Sequence, residues 1–286
     1  MMGIFSRVRR ALLYRFRILK LFFLWKKSDY YILSFPKSGR TWLRLFVARY
    51  FSLLFDYPLD ENFRYLIPPK REVPRIFFAH SGLRGEIYPK RRKGYMATDE
   101  MLEKNIKDLY GKPILFLVRD PRDVVVSHYF SAKKRGKSEQ LRERMKHMEL
   151  SEFIRDPEFG IEKIISYNNA WLKHKDSFRK FEIVRYEDMK HDPEEAFKNV
   201  LHFLGIESID ENIFREALSY SSFDNMKKIE KNAALGVIMR PGEAGDPESF
   251  KVRKGKIGGF REYLNRKDIE YVSCELAKLH PVFGYH

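Results

Sequence analysis

Residues 30–43 read Tyr30-Tyr31-Ile32-Leu33-Ser34-Phe35-Pro36-Lys37-Ser38-Gly39-Arg40-Thr41-Trp42-Leu43, and this stretch decides the fold of the chain. It contains an apolar run typical of a strand, a compact loop with one lysine and one glycine, and an amphipathic helix pattern. This order brings backbone N–H groups, a lysine and small hydroxyl groups together at a helix N-terminus, where an anionic phosphate or sulfate group binds. A Walker A loop has a second glycine directly before its lysine, whereas Lys37 follows Pro36. The stretch therefore predicts phosphate binding, and ATP with Mg²⁺ is not the default ligand.

Length and composition predict one globular domain with anionic partners. The 286 residues lie near the upper limit for a single domain, and 44% of them are hydrophobic and 15% aromatic. The formal net charge of +16 implies a polyphosphorylated cofactor, an acidic substrate, an anionic membrane or nucleic acid, without selecting among them. The single cysteine, Cys274, excludes an internal disulfide and a cysteine-rich zinc site, and we expect it to be buried in a C-terminal helix.

Residues 1–28 are expected to form a basic amphipathic helix ahead of a domain that spans residues 29–286. The leucines and phenylalanines between Ile4 and Trp25 are interrupted by six cations: Arg7, Arg9, Arg10, Arg15, Arg17 and Lys20. These cations make the segment a poor transmembrane candidate, and it lacks the small-residue cleavage site of a signal peptide. It either lies on an anionic membrane through residues 4–25 or docks on the domain beside the first strand.

Strands alternate with helices along most of the chain. Short runs rich in Ile, Leu, Val and Phe predict strands at Tyr30–Phe35, Arg75–His80, Pro113–Val118 and Phe181–Arg185. Helical patterns follow at Thr41–Phe55, Thr98–Asp108, Arg122–Lys134, Pro193–Leu204 and about Arg266 to Leu279, with Thr98 and Asp192 as N-caps. Because the strands are continuously apolar, we expect a parallel sheet covered on both faces. The predicted fold class is α/β: a single domain with a central parallel sheet flanked by helices, P-loop-NTPase-like, with ligands at the carboxyl ends of the strands.

Residues 115–129 again combine a strand, a tight turn and a helix. Arg119 stands where the strand ends, and Pro121 starts the helix. Arginine is suited to forked hydrogen bonding of a phosphate, and Ser127 lies about two turns further along the helix. The alternative interpretation is an ion pair between Arg119 and Asp120 or Asp123.

The region near the C-terminus contains a basic stretch, residues 250–260, which we call the C-terminal element. Phe250–Phe260 holds four cations and three glycines, so its backbone can come close to an anion, although a solvated charge run is the ordinary explanation for such a stretch. It overlaps Asn232–Gly259, which is expected to be a lid or binding loop. Lys133–His147 is dense in charge and predicts an exposed loop or a solvated helix.

Together these segments, from Tyr30 to Tyr263, resemble the sulfotransferase family, in its cytosolic type that uses 3′-phosphoadenosine 5′-phosphosulfate (PAPS) as co-substrate. The resemblance implies that the loop around Lys37 grips the 5′-phosphosulfate and that Arg119 and Ser127 bind the 3′-phosphate. It also implies that other residues contact PAPS. These are Tyr186 in the segment Tyr186-Glu187-Asp188-Met189, the adenine-side residues Ser221, Phe223 and Met226, and Arg253, Lys254 and Gly255, which close over the 3′-phosphate.

The resemblance also implies roles in catalysis. His80 would act as general base on an acceptor hydroxyl, or less often an amine, and Lys37 would stabilise charge on the phosphate leaving group. The 5′-phosphate would be held by Ser38, Gly39, Arg40 and Thr41, and Trp42 would stack on adenine with Phe223 nearby. No metal is implied. The expected partner is a small-molecule, lipid or carbohydrate acceptor and not a specific nucleic acid, and the expected location is cytoplasmic, with peripheral membrane contact as an option.

Three positions depart from the family pattern. Arg40 replaces a threonine, and Phe78 stands where a lysine is frequent, so a second catalytic cation is missing or is supplied by Arg84 or Arg40. Gly258-Gly259-Phe260 replaces Gly-Asp-Trp, which leaves the closure of the C-terminal element less defined than the grip on the donor.

Other function classes stay open from the sequence. A Golgi-type carbohydrate or protein sulfotransferase would use a glutamate base, for which Glu86 is the candidate. A P-loop-like nucleotide kinase lacks its Walker glycine here, and a non-catalytic protein that binds RNA or lipid is motivated by the charge alone. The acceptor is undetermined. Its pocket is expected to be built from the loops Asp56–Pro74, Arg84–Tyr95 and Asn232–Phe250, whose mixture of aromatic and basic residues does not select one acceptor class.

Overall fold

Four parallel strands form a central sheet in the computed structural model, which describes residues 22–59, 72–80, 98–136 and 138–286. They are β1 (Tyr30–Ser34), β2 (Ile76–Ala79), β3 (Pro113–Val118) and β4 (Lys180–Arg185), and their order in the sheet is β2-β1-β3-β4. All four predicted strands are confirmed to within one residue at either end.

Helices connect the strands and cover the sheet. They are α1 (Arg40–Leu54), α2 (Asp99–Lys107), α3 (Pro121–Arg135), α4 (Glu139–His147), α5 (Leu150–Arg155), α6 (Ile161–Lys173), α7 (Tyr186–His191), α8 (Pro193–Phe203), α9 (Glu211–Tyr220), α10 (Phe223–Lys231) and α11 (Arg266–Leu276). The predicted helices correspond to α1, α2, α3, α8 and α11. Both predicted N-caps form, because the Thr98 and Asp192 side chains accept from the backbone N–H groups of Met101 and Glu195.

The sheet separates two hydrophobic cores. Successive strand residues point to opposite faces, so Tyr31 and Leu33 of β1 enter one core and Ile32 enters the other. The first core is completed by residues of α2, α3, α5, α6 and α11, and the second by residues of α1, α8, α9 and α10. Coverage on both faces explains why the strands are apolar throughout, as the sequence predicts.

The carboxyl ends of the strands carry the chemistry-bearing residues. Since the strands are parallel, these ends meet at one edge of the sheet. The loop of residues 35–39 follows β1, His80 follows β2, Arg119 follows β3, and Tyr186 follows β4. The fold thus gathers at one edge residues that are up to 151 positions apart in sequence, from residue 35 to residue 186.

Other expectations have mixed outcomes. The prediction that Cys274 is buried is wrong: α11 buries Val272 and Leu276, which are four residues apart, and leaves Cys274 exposed on another face. The charged stretch 133–147 includes a solvated helix, α4, with Met145 as its buried residue.

The predicted lid or binding loop, residues 232–259, contains only short 3₁₀ turns, and the guanidinium of Arg135 ties it to the domain. That group donates to the carbonyl oxygens of Arg240 and Ser249, at 2.9 Å each.

The N-terminal helix prediction falls mostly outside the described residues. Within them, residues 22–26 are helical, and Phe22 and Phe23 are exposed. No helix in the described ranges is both long enough and apolar enough to cross a membrane. Arg84 and Glu86, and most of the predicted acceptor loops 56–74 and 84–95, also lie outside the described residues.

Candidate active site

The loop between β1 and α1, residues 35–39, is shaped to receive an anion. Lys37 and Gly39 both have left-handed backbone conformations, with φ of 76° and 98°. Gly39 is the N-cap of α1 and supplies no side-chain cap, and the first turn of α1 carries no acidic residue, so no side chain of this turn supplies negative charge to its N–H groups. A Cβ atom on Gly39 would lie 2.6 Å from Cδ2 of Tyr186, which explains the glycine.

The Lys37 ammonium lies in a half-buried, positive environment. Its pKa is lowered from 10.5 to about 8, first by burial and then by the nearby cations Arg135, Arg253 and Arg119, while Glu230 opposes them. Positive charge concentrated in this way makes an anionic ligand the natural counter-charge.

Arg119 lies against the same loop. One guanidinium nitrogen donates to the Lys37 carbonyl oxygen at 3.4 Å, and the other donates to the Lys256 carbonyl oxygen at 2.8 Å. The guanidinium also lies 4.4 Å from the ring centroid of Tyr186. The structure therefore brings together Lys37 and Arg119, 82 positions apart, at a single edge of the sheet.

The alternative partner of Arg119 is also present. Its guanidinium approaches the Asp123 carboxylate at 3.4 Å, whereas Asp120 pairs with Arg122 at 2.7 Å. Asp123 in turn accepts from the N–H groups of Gly258 and Phe260, at 2.9 Å each, and burial raises the pKa of its carboxyl group. Asp123 thus fastens the C-terminal element beside Arg119. Ser127, one turn further along α3, is buried.

The basic residues of the C-terminal element are engaged with carboxylates. Arg253 donates to Glu248 at 2.7 Å and to the Tyr263 hydroxyl. Glu262 accepts from both Lys254 and Lys256, and these hydrogen bonds lower its pKa to about 2.

Gly255 of the same element has a φ of 62°, and a Cβ atom there would lie 2.7 Å from Cε2 of Phe223. The C-terminal element is therefore packed directly on the residue expected at the adenine side.

Two of the expected adenine-side aromatic residues face a common lysine. The Lys190 ammonium lies 6.0 Å from the ring centroids of both Trp42 and Phe223. The Trp42 ring also packs edge-on against Tyr186, with centroids 5.8 Å apart. The sequence motifs did not single out Lys190, although it directly follows the Tyr186–Met189 segment.

The other two adenine-side candidates have structural partners. The Ser221 hydroxyl donates to the Leu218 carbonyl oxygen at 3.2 Å, and Met226 is buried in the second core. Between them, Phe223 is the first residue of α10, and the Ser222 side chain caps this helix by accepting from the Asn225 N–H.

The orientation of His80 is defined at both ring nitrogens. Nδ1 lies 3.1 Å from the Ser34 carbonyl oxygen, which can only accept, so Nδ1 carries the proton. Nε2 lies 2.6 Å from Nη2 of Arg40, which can only donate, so Nε2 holds the lone pair. The Tyr167 hydroxyl donates to the His80 carbonyl oxygen and fixes the backbone. The imidazole is therefore neutral, with its basic nitrogen directed toward the phosphate loop.

Two glutamates, the half-buried Glu187 and the buried Glu230, support the site and were not identified from the sequence as functional. Glu187 accepts from the Asp120 N–H at 3.0 Å and from the Tyr285 hydroxyl at 2.6 Å, and burial raises its pKa. Glu230 is fully buried and accepts from Arg135 and from the N–H groups of Lys251 and Val252. The sequence signal was weak, since a lone glutamate in a helix is ordinarily solvated.

Residues 27–274 match the family model of the sulfotransferase domain. Because this match covers most of the chain, the chain belongs to the sulfotransferase family and is an enzyme. The predicted family membership and fold class are confirmed.

Individual relatives have low sequence identity to this chain, but the similarity extends over most of it. Cytosolic sulfotransferase 13 of Arabidopsis thaliana is 26% identical over 261 residues, covering 84% of this chain and 72% of the relative. Flavonol 3-sulfotransferase of Flaveria bidentis is 25% identical over 265 residues, covering 86% and 79%. The solved structure of mouse sulfotransferase SULT7A1 complexed with PAP superposes with a TM-score of 0.57 at 20% identity, covering 88% of this chain and 84% of that one. At this identity, the superposition shows the shared fold.

Proposed function

We propose that this enzyme transfers the sulfuryl group of PAPS to a hydroxyl, or an amine, of a small-molecule acceptor, with His80 as the general base. The observation that carries the proposal is a contact at the start of α1. Arg40, which directly follows the phosphate loop of residues 35–39, donates to Nε2 of a neutral His80. A basic nitrogen is thereby held at the loop where the half-buried Lys37 and a helix N-terminus concentrate positive charge.

The residues present fit a 3′,5′-bisphosphorylated adenosine. The uncapped start of α1, with Ser38 to Thr41 and the Lys37 ammonium, would hold the 5′-phosphosulfate. Arg119, with Ser127 and the C-terminal element of Arg253, Lys254 and Gly255, would hold the 3′-phosphate. Trp42 and Phe223 would contact the adenine, and Tyr186 would support both the loop and Arg119.

The expected chemistry is an in-line displacement at sulfur. The acceptor oxygen forms a bond to sulfur while the bond from sulfur to the phosphate oxygen breaks, and the leaving phosphate keeps that electron pair. The acceptor proton moves to Nε2 of His80. Lys37 stabilises the negative charge that develops on the leaving oxygen, as positioned cations do in phosphoryl transfer.

A small organic hydroxyl compound is the proposed acceptor class. The relatives include a flavonol sulfotransferase, and two of the three expected acceptor loops, 56–74 and 84–95, fall mostly outside the described residues. A cytoplasmic location is proposed on the same basis, since several relatives are named cytosolic. A catalytic metal is not part of the proposal.

Two measurements on His80→Ala test the proposed reaction. We expect the variant to lose transfer of ³⁵S from labelled PAPS to acceptors in a cell extract, while calorimetric affinity for 3′,5′-adenosine bisphosphate (PAP) stays within about twofold of the wild type, because the base does not hold the nucleotide. His202→Ala, which changes an exposed histidine of α8, is the matched control and keeps full transfer. Full transfer by His80→Ala would remove the base assignment.

A further inference from the structure

We propose that Arg40 is a positioning residue that exchanges partners: it covers the basic nitrogen of His80 until the sulfonate of PAPS is in the loop, and then releases that nitrogen to the acceptor. This inference rests on the proposed function, because it assumes that His80 is the base. It assigns a purpose to a residue at which the chain departs from the family pattern.

The first step in the reasoning is that the contact between Arg40 and His80 cannot persist during proton transfer. Nη2 of Arg40 lies 2.6 Å from Nε2 of His80 and donates into its single lone pair. An arginine guanidinium does not give up its proton, so this lone pair is unable to accept one from the acceptor hydroxyl while Arg40 is bound. The guanidinium therefore has to leave Nε2 once in every turnover.

The second step concerns what draws Arg40 away. Arg40 is the first residue of α1 and directly follows Gly39, so its backbone lies in the proposed 5′-phosphosulfate loop. A hydrogen bond from a guanidinium to an anionic oxygen adds the attraction between two opposite charges, which a bond to a neutral imidazole lacks. An anionic sulfonate in the loop thus competes successfully with the neutral imidazole for the same N–H group.

The third step is the surrounding charge. The Lys251 ammonium lies close enough to Arg44, Lys37 and Arg40 for these cations, after burial, to lower its pKa. Among the described residues, the charged groups of this region thus come from the loop, α1 and the C-terminal element, and Tyr167 of α6 also lies within electrostatic range of Arg40. With so many cations together, an entering anion is favoured over the imidazole lone pair as the partner of Arg40.

The exchange predicts a difference between the two nucleotides. PAP has both phosphates but lacks the sulfonate, which in the proposed reaction is the part of the donor nearest to His80. Its 5′-phosphate would stay with the backbone N–H groups of the loop, so the Arg40 guanidinium should remain on His80. PAPS carries the sulfonate and should release Nε2. The acceptor then meets an available base only when a donor able to react is bound, which favours binding of the donor before the acceptor.

Imidazole ¹⁵N NMR of the full chain tests the exchange without any acceptor. The His80 signals are assigned by their loss in His80→Gln and recorded for the free protein, with PAP and with PAPS. For the wild type we expect PAPS, but not PAP, to shift the Nε2 resonance away from its position in the free protein. In Arg40→Thr the free protein should already show the shifted resonance, and the two nucleotides should give the same spectrum.

Two variants complete the design. Arg40→Lys keeps the charge but not the forked donor, and should give a PAPS response smaller than that of the wild type. Arg266→Thr changes a fully exposed arginine of α11 and should reproduce the wild-type spectra. Identical wild-type spectra with PAP and PAPS, or an unchanged Nε2 resonance in Arg40→Thr, would overturn the proposal.

The experiment separates this inference from the proposed function. The spectra report only the contact between Arg40 and His80, whereas the role of His80 as base is tested by sulfuryl transfer in His80→Ala. A normal NMR response together with full transfer by His80→Ala would refute the base assignment and leave the partner exchange standing as a donor-sensing contact. A missing NMR response with no transfer by His80→Ala would refute only the exchange.

Discussion

The phosphate loop, residues 35–39, and the basic C-terminal element, residues 250–260, both contain cations and glycines suited to binding an anion. They differ in how far the charge of these cations is balanced by carboxylates. Lys37 is half-buried, and most of the charged neighbours of its ammonium are cations. In the C-terminal element, Arg253 is paired with Glu248, and Lys254 and Lys256 are paired with Glu262. The loop holds uncompensated charge, whereas three of the four cations of the element, Arg253, Lys254 and Lys256, are compensated by carboxylates.

This difference indicates how each region meets an anion. Burying a cation that has little counter-charge lowers the stability of the fold. Such a cation can bind an anion without first leaving another partner. Exposed ion pairs contribute little to stability, and their cations have to exchange a carboxylate for a phosphate before they bind it. Burial, more than the number of basic residues, therefore distinguishes a preorganised site from a surface charge run.

The largest expected effect is that of removing the buried charge with Lys37→Met. We expect turnover to fall by roughly 10²- to 10³-fold, as for loss of one transition-state donor, while the free energy of unfolding at pH 7 rises by at most about 3 kcal/mol. Initial rates with labelled PAPS and urea unfolding measure the two quantities. Lys254→Met is the matched change in the C-terminal element and should lose less turnover without gaining stability. A loss of stability in Lys37→Met would contradict the buried-cation account.

The stability gained by Lys37→Met should also depend on pH. The pKa of Lys37 falls from 10.5 to about 8 on folding, so the cost of the buried charge is complete below pH 8. Between pH 8 and 10.5 the unfolded chain binds more protons than the folded chain, and the stability of the wild type rises with pH. The difference in unfolding free energy, variant minus wild type, should therefore shrink across this window. A difference that stays constant from pH 7 to 10.5 would show that Lys37 titrates normally.

Glycine substitutions compare the backbones of the two regions. Gly39→Ala places a Cβ atom 2.6 Å from the buried ring of Tyr186 at a φ of 98°, and should cost about 1–3 kcal/mol of stability and weaken PAP binding. Gly255→Ala meets Phe223, which is only partly buried, and should cost less. Thermal unfolding and PAP calorimetry measure both variants. Equal costs would mean that the loop is no more rigid than the element.

The smallest expected effect is that of releasing the cations of the C-terminal element. Glu262→Gln removes the carboxylate shared by Lys254 and Lys256, so PAP affinity should increase, by roughly two- to fivefold at low salt, and the gain should shrink as salt is added. Glu270→Gln, which frees the remote Arg266, is the control and should leave PAP affinity unchanged. Weaker PAP binding by Glu262→Gln would mean that this carboxylate positions the element rather than competing with phosphate.

The sequence predicted the scaffold well because the scaffold depends on local patterns. The strands of a sheet covered on both faces are short continuous apolar runs, so β3 was predicted residue for residue. The loop at Lys37 was predicted because strand, lysine, glycine and helix adjoin in the chain. Cys274 was predicted wrongly, since an apolar neighbourhood in sequence does not say which face of a helix is buried.

The contacts that define the site were harder to predict because they join distant segments. Arg40 and His80 are 40 residues apart, and Asp123 and Phe260 are 137 apart, so no periodicity links them. The resemblance to the sulfotransferase family indicated His80, but not that Arg40 covers its basic nitrogen. Glu230 looked like an ordinary charged helix residue, and only the fold shows it buried under Lys251 and Val252.

The claim on which the whole account depends is that Lys37 and Arg119 serve the two phosphates of one adenosine nucleotide. Calorimetric titration of the wild type and of Arg119→Lys with PAP and with adenosine 5′-phosphate tests it most directly. We expect the wild type to bind PAP at least about tenfold more tightly than the monophosphate, and Arg119→Lys to lose most of this preference, because a lysine lacks the forked donor. Equal affinity of the wild type for the two nucleotides, or tight ATP–Mg²⁺ binding with no preference for a 3′-phosphate, would contradict the account.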